Sequence, residues 1–277
     1  MRQFMDQKDV KQSLENYKQN LIDMELSKAT ISKYISDVQQ LIDYADGKEI
    51  NKDLTIEYKD HLKNDLERES STINSKIISI NKYLKFTGND EATLKNIRVQ
   101  TRELDNVLTQ NDYDRMLRRA DKKGTDRDVL MLEALYRTGV RVSELQFFTV
   151  EALKQGYILA DNKGKIRKVP ISSTLDKQAR RYVKDHDIKS GSIILNKYGD
   201  PLSRNYIFKR IKWLAGQARI KKAKAYPHSI RHLFAKQWLE RNGDRVTQLA
   251  DILGHDSLDT TRIYTKQTIE EARETME

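Results

Sequence analysis

The sequence predicts a mainly α-helical protein in two parts, the second interrupted by one small antiparallel β-hairpin. Three observations predict it. Proline and glycine are scarce, with 3 and 11 in 277 residues, so long stretches carry no helix breaker. Apolar residues recur at three- and four-residue spacing through most of the chain, set against lysine- and glutamate-rich faces. That pattern gives way once to β alternation, around 157–171, where two short strand-like runs flank the glycine-containing turn Asp161-Asn162-Lys163-Gly164-Lys165.

Taken in order, residues 8–23 place Val10, Leu14, Tyr17 and Leu21 on one helical face. Ser27 suits an N-cap for a second helix carrying Ile31, Tyr34, Ile35, Val38, Leu41 and Ile42, which Gly47 ends. A third helix is expected near 53–66. A fourth starts at Ser70 or Ser71, carries Ile73, Ile77, Ile80 and Leu84, and closes at Gly88. Residues 1–88 thus form a small four-helix domain, with Lys28, Lys33, Lys76, Lys82 and Lys85 on its polar faces. Apolar periodicity fades over 89–107, which reads as a linker bearing Lys95, Arg98 and Arg102. The second domain, 108–277, opens with a helix capped by Thr109 and continues with an apolar helix over 126–137. After the hairpin come a helix over 173–185, an extended piece at 193–195 and a helix from Ser203 to about Ala218. A helix after Pro227 ends at Asn242-Gly243, a short one starts at Asp244 or Thr247 and stops at Gly254, and an amphipathic helix follows Thr265.

Composition narrows the function classes. The formal charge is +10, which favours a polyanionic partner, nucleic acid first. A lysine-rich soluble surface with no such partner has the same composition. With no cysteine, disulfides and thiolate metal sites are excluded. There is no apolar run of about 18 residues and no apolar stretch in the first residues of the kind a signal peptide needs. The expectation is a cytoplasmic, nucleoid-associated protein that does not enter a membrane.

Three segments carry candidate chemistry. Pro227 suits the first turn of a helix, which sets His228 and Arg231 three residues apart on one face. Thr138-Gly139-Val140-Arg141-Val142-Ser143-Glu144-Leu145 offers a second arginine with an acid three residues on. Leu253-Gly254-His255 leads to Tyr264, nine residues after the histidine. Two arginines, two histidines and a tyrosine suit attack on a phosphate. Each also has a plainer reading: Arg141 and Glu144 as a surface ion pair, His228 and Arg231 as a static phosphate contact, and Tyr264 as a packing residue. His232 is assigned to packing or support of its neighbours, Tyr198, Tyr206 and Tyr226 to structure, and His61 and His186 to the surface.

In combination these segments resemble the tyrosine recombinases of the phage-integrase and Xer type. The matching residues are T-G-V-R-V-S-E-L at 138–145, H-S-I-R-H at 228–232 and L-G-H-x-S-x-x-T-T-x-x-Y-T at 253–265, with the basic hairpin between them. The resemblance covers the whole C-terminal part, and the first four helices resemble the SAM-like core-binding domain of that family. It implies a site-specific recombinase that cuts and rejoins DNA through a 3′-phosphotyrosine, without metal, nucleotide or other cofactor. Tyr264 matches the nucleophile, Arg141 and Arg231 the two catalytic arginines, His228 the acceptor of the tyrosine proton, and His255 the donor to the phosphate. Glu144 would orient Arg141 or a neighbouring basic group. The general acid for the 5′ oxygen falls in the hairpin. Alignment favours Lys163, but the turn is about one residue shorter than the commonest version, which keeps Lys165 in view. Tyr226 stands where the family often has a capping threonine.

The resemblance further implies a C-shaped clamp on double-stranded DNA with inverted-repeat core sites. It implies a homo-tetramer on two sites, joined through the terminal helix, with a paralogous recombinase or an accessory factor as further partners. Absence of an arm-binding domain ahead of residue 1 leads us to expect simple core sites. Dimer resolution of the Xer kind and integration or excision of a mobile element both fit. So do two other classes, an inactive architectural DNA-binding relative and a type IB topoisomerase-like relaxing enzyme; recombinant joints, as opposed to relaxed circles, separate them from a recombinase.

Overall fold

Residues 7–98, 107–162, 164–243 and 245–255, with Leu258 and Thr261, are described by a computed structural model. The chain divides near residue 101 into two compact units.

Among the described residues the first unit contains four α-helices, α1 (Gln7–Asp23), α2 (Lys28–Ala45), α3 (Lys52–Asn64) and α4 (Ser70–Phe86), followed by a 3-10 turn, η1 (Asp90–Ala92). Ser27 caps α2 by accepting the Thr30 N–H at 3.2 Å, and Asn51 caps α3 in the same way from Leu54. The helix that Gly47 was expected to end stops one residue earlier, where Asp46 takes the left-handed conformation, which a short polar side chain tolerates. Helix α4 begins at Ser70, but neither serine caps it: the capping position is Glu69, which makes no side-chain cap bond.

Two features of this unit differ from the sequence reading. Residues 89–98, taken as the start of the linker, pack onto the helices. Asn81 holds Leu94 through both its main-chain groups (2.8 Å each), Asn74 does the same for Ile97 (2.7 and 2.9 Å), and Ala92 and Leu94 join the core around Leu41, Tyr58, Ile77 and Leu84. Two side-chain amides, each pairing with the N–H and C=O of one residue, substitute for the periodicity that fades here. Second, Lys33 and Lys76 turn inward to the buried Asp37, at 2.6 and 3.0 Å, where Ser79 also donates at 2.8 Å. Burial alone would raise the Asp37 carboxyl; these donors outweigh it and hold the group below its ordinary range.

The second unit is built on α6 (Asp126–Thr138), which is buried along most of its length. Around it lie α5 (Gln110–Lys123), α8 (Ser173–Asp185), α9 (Arg204–Gln217) and α10 (Pro227–Asn242). A 3-10 turn, η2 (Val142–Phe147), and the short α7 (Val150–Gln155) connect α6 to the hairpin, and α11 (Val246–Leu253) follows α10. Helices α5 and α6 start with reciprocal caps, Thr109 with Asp112 and Thr125 with Asp128. The hairpin strands β1 (Tyr157–Asn162) and β2 (Lys165–Pro170) pair from Tyr157↔Pro170 to Asn162↔Lys165, and Gly164 in the turn has a φ of +80°. The expected extended piece forms isolated bridges, Thr149↔Ser192 and Leu195↔Pro201. Asp244 and the helix expected after Thr265 lie outside the described residues.

Helix α9 is tied to α6 by a forked ion pair: Arg210 Nε and Nη2 donate to the two Asp128 oxygens at 2.8 and 2.6 Å. Asp128 is buried and also accepts from the Thr125 main chain at 2.8 Å. Replacing it strands the guanidinium and removes the α6 cap together. Asp128→Ala is therefore expected to destabilise the protein by about 3 kcal/mol, read as a fall in the urea midpoint at constant slope.

Candidate active site

The site assembles where three helix ends meet. Helix α6 ends at Gly139 in the left-handed conformation (φ +62°), and a Cβ added there would lie 2.3 Å from Phe234 on α10. The glycine therefore permits α10 to approach, and with it Arg231. The Arg231 side chain is almost fully buried, donating through Nη1 to the Gly139 carbonyl and through Nη2 to the Leu253 carbonyl, each at 2.6 Å. One guanidinium thus joins the C-terminal ends of α6 and α11. Carbonyls at helix ends carry partial negative charge and lack helical donors, so a cation satisfies both needs.

Arg141 follows Gly139 by two residues and starts η2. Its own N–H donates to Glu144 Oε2 at 2.7 Å, its Nη1 to Oε1 at 3.0 Å, and its Nη2 to the Gly254 carbonyl at 3.1 Å. The pair is no surface contact: Glu144 is fully buried. Its other partner is Arg167 of β2, whose Nη1 and Nη2 meet the two carboxylate oxygens at 2.8 Å each. Burial pushes the Glu144 carboxyl up, but hydrogen bonds from Arg167 and Arg141 more than reverse this, leaving it below the ordinary carboxylate range.

His255 follows Gly254, its Nε2 lying 3.2 Å from Arg231 Nη2 and its Nδ1 2.8 Å from Thr261 Oγ1. A guanidinium only donates, so Nε2 accepts and the ring is neutral, with its proton on Nδ1 facing the threonine. His228 occupies the first turn of α10 and packs edge-on against His232, ring centroids 4.8 Å apart. Desolvation, then the positive charges of Arg231 and Arg141, lower the His228 ring below its ordinary value even though the residue faces solvent. His232 and His255 are pushed down to about 4, again by burial first, and then by His228 and Arg231 for His232 and by Arg231 and Arg141 for His255. Ser229, between His228 and Arg231 in sequence, is buried and accepts the Leu108 N–H at 2.7 Å, so the chain entering this unit is fastened to the first turn of α10.

Arg141, His228 and Arg231 line an open cleft of about 510 Å³, joined by Ser143 and by Arg204 and Phe208 of α9. The N-terminal end of α10 opens into it, adding the positive end of a helix dipole to the two guanidiniums. Such a cleft can hold a phosphodiester through its non-bridging oxygens. Among the described residues no group of His, Asp and Glu could hold a metal ion, and no helix is long and apolar enough to cross a membrane.

The structure thus brings together Arg141, Glu144, His228, Arg231 and His255. Lys165 opens β2 with an exposed side chain; Lys163 and Tyr264 lie outside the described residues. Tyr226 occupies the capping position of α10 and makes no side-chain cap bond. Sequence reasoning missed Arg167 and Thr261. A signal for the first exists: β alternation puts Arg167 on the same face as the buried Val169, and an arginine on a buried strand face calls for an acid nearby.

The lowered imidazoles are measurable. In the free protein, His232 and His255 are expected to stay neutral on acidification to pH 5 and to titrate near 4, followed by ring-proton NMR. Because the folded values lie below the unfolded value of about 6.5, their contribution to stability is complete above that pH and is lost as the pH falls toward 4. A His255 titrating near 6.5 contradicts the arrangement.

Comparison with known proteins gives the family and the fold. Residues 106–271 match the model of the phage integrase family. The chain is 32% identical over 272 residues to Tyrosine recombinase XerD of Oceanobacillus iheyensis, covering 89% of this chain and 90% of that one. Among solved structures, a lambda integrase dimer bound to a COC′ core site superposes with a TM-score of 0.76 at 14% identity, covering 92% of this chain and 76% of the other. The XerH site-specific recombinase bound to difH substrate, in a pre-cleavage complex, gives 0.65 at 20% identity, covering 89% and 76%. The chain belongs to the tyrosine recombinase family of phage-integrase type, enzymes of site-specific recombination that cut and rejoin DNA.

Proposed function

We propose that this enzyme recombines DNA through a covalent 3′-phosphotyrosine, with Tyr264 as nucleophile. The observation that carries the reading is the convergence of Arg141, Arg231 and His228 on one open cleft beside His255. In the first step the Tyr264 oxygen attacks phosphorus and the bond to the 5′ oxygen breaks. Charge grows on the non-bridging oxygens, where Arg141 and Arg231 stand as fixed donors already oriented by backbone carbonyls. His228, held in its neutral form, takes the tyrosine proton. Lys163, or Lys165 in its place, protonates the leaving 5′ oxygen. His255 braces Arg231 in the free enzyme and donates to the phosphate when DNA binds, the ring changing tautomer so that its proton sits on Nε2 and Nδ1 accepts from the Thr261 hydroxyl. The 5′ hydroxyl of another strand then attacks the phosphotyrosine and releases Tyr264. One ester replaces another at each step, so the cycle consumes no nucleotide and uses no metal or cofactor.

The partner in this reading is double-stranded DNA carrying inverted-repeat core sites, gripped by both units of the chain and bound by four subunits on two sites. Phosphate contacts supply most of the affinity, which falls steeply with salt. Of the two biological roles, resolution of the Xer kind is favoured: the XerD relative is matched over nine-tenths of both chains.

Covalent trapping tests the chemistry. The protein is mixed with nicked duplex fragments, without metal or nucleotide, and resolved on denaturing gels. The expected result is an adduct on fragments sharing an inverted repeat, absent with Tyr264→Phe. Arg231→Ala is expected to slow adduct formation by roughly 100-fold or more, the scale of losing a fixed oxyanion donor. Tight binding without an adduct supports an architectural protein instead, and an adduct that persists in Tyr264→Phe means another nucleophile.

A further inference from the structure

Arg167 reaches the site without lining it: the cleft wall includes Arg141, Arg231 and His228 but not Arg167. Its side chain is nonetheless among the most constrained in the unit. Nη1 and Nη2 grip both Glu144 oxygens at 2.8 Å, and Nε donates to the Ile252 carbonyl at 2.8 Å. The stem lies against Gly254, where an added Cβ would fall 2.8 Å from Arg167 Cδ. Each nitrogen of this guanidinium donates a bond, and only 13% of the side chain is exposed.

The carboxylate it holds is the support of Arg141. Each Glu144 oxygen accepts one bond from Arg167 and one from Arg141, Oε1 from the guanidinium and Oε2 from the main-chain N–H. A carboxylate bound by Arg141 alone can swing about its last torsion and carry that guanidinium with it. The fork from β2 removes that freedom. The same residue also ties the hairpin strand to the end of α11, just ahead of His255.

We propose that Arg167 is a positioning residue for strand cleavage: it locks Glu144, and through Glu144 it fixes the Arg141 guanidinium against the scissile phosphate. The inference rests on the phosphotyrosine reading above. Its competitor is that Arg167 merely anchors the hairpin, and so acts through the lysine there that protonates the leaving oxygen.

The two differ in which part of the transition state suffers, and a sulfur substitution separates them. The nicked duplex recovered by trapping is made with sulfur in place of the bridging 5′ oxygen at the scissile phosphate. A thiolate leaves without a proton, so loss of the general acid is forgiven, whereas loss of charge stabilisation on the non-bridging oxygens is not. With the ordinary substrate, Arg167→Ala is expected to slow adduct formation by about 100-fold, the scale of a misplaced reactive group, with DNA affinity unchanged. With the sulfur substrate, the hairpin variant that is slow on oxygen, Lys163→Ala or Lys165→Ala, recovers, and Arg167→Ala stays slow. Arg167→Lys, which keeps the charge but loses the fork, is slowed as well and serves if the alanine variant does not fold. The double variant Arg167→Ala/Glu144→Gln is no slower than the slower single, since both act along one path. Recovery of Arg167→Ala on the sulfur substrate, a wild-type rate for Arg167→Lys, or multiplicative losses in the double variant each overturn the proposal. A wild-type protein that makes no Tyr264-dependent adduct on either substrate overturns the underlying reading instead.

Discussion

Buried guanidinium groups need fixed acceptors, and this site is arranged around that requirement. An arginine taken out of water without partners costs several kcal/mol, so Arg231 can stand in the floor of the cleft only because the ends of α6 and α11 bring it two carbonyls. Arg141 takes a third from Gly254. The helices therefore stop where they do for a reason. Gly139 and Gly254 both turn left-handed and present their carbonyls to an arginine. The same residues leave space for Phe234 and Arg167 to pass. The positive cleft and the packing of the second unit are one structure.

Burial beside a positive cleft in turn sets the protonation of the histidines. Desolvation comes first, and the arginines, charged at any working pH, lower the neighbouring rings further. Glu144, with four donors around it, responds in the opposite direction and keeps its charge. A neutral ring beside permanently charged guanidiniums is the pairing that the proposed transesterification at neutral pH calls for.

Much of this was legible in the sequence because it depends on local rules. Caps such as Thr109 and Ser203, the Pro227 start of α10 and the glycine stop at Gly254 each follow from neighbours within four residues. Their positions alone put His228 and Arg231 on one face. The residues that escaped are those whose roles are set by distant partners. Arg167 looks like one more cation on a basic hairpin until β2 lies against η2 and α11. Lys76 looks like a surface lysine until α4 meets Asp37 across α2. Residues 89–98 look unstructured because side-chain amides, which have no period, hold them in place. The candidate site and its Glu144 support were readable by their chemistry, and the distant partner of that support, Arg167, was not.

The bond from Leu108 to Ser229 gives the second unit a mechanical boundary. Its donor is the main chain two residues before α5, and its acceptor is flanked by His228 and Ile230 on the first turn of α10. A fragment trimmed at the start of α5 would keep all of its helices and still lose the peg that holds this turn. Tension applied through the preceding chain would reach this peg together with the Leu108 side chain in the core, so part of the load falls on the first turn of α10.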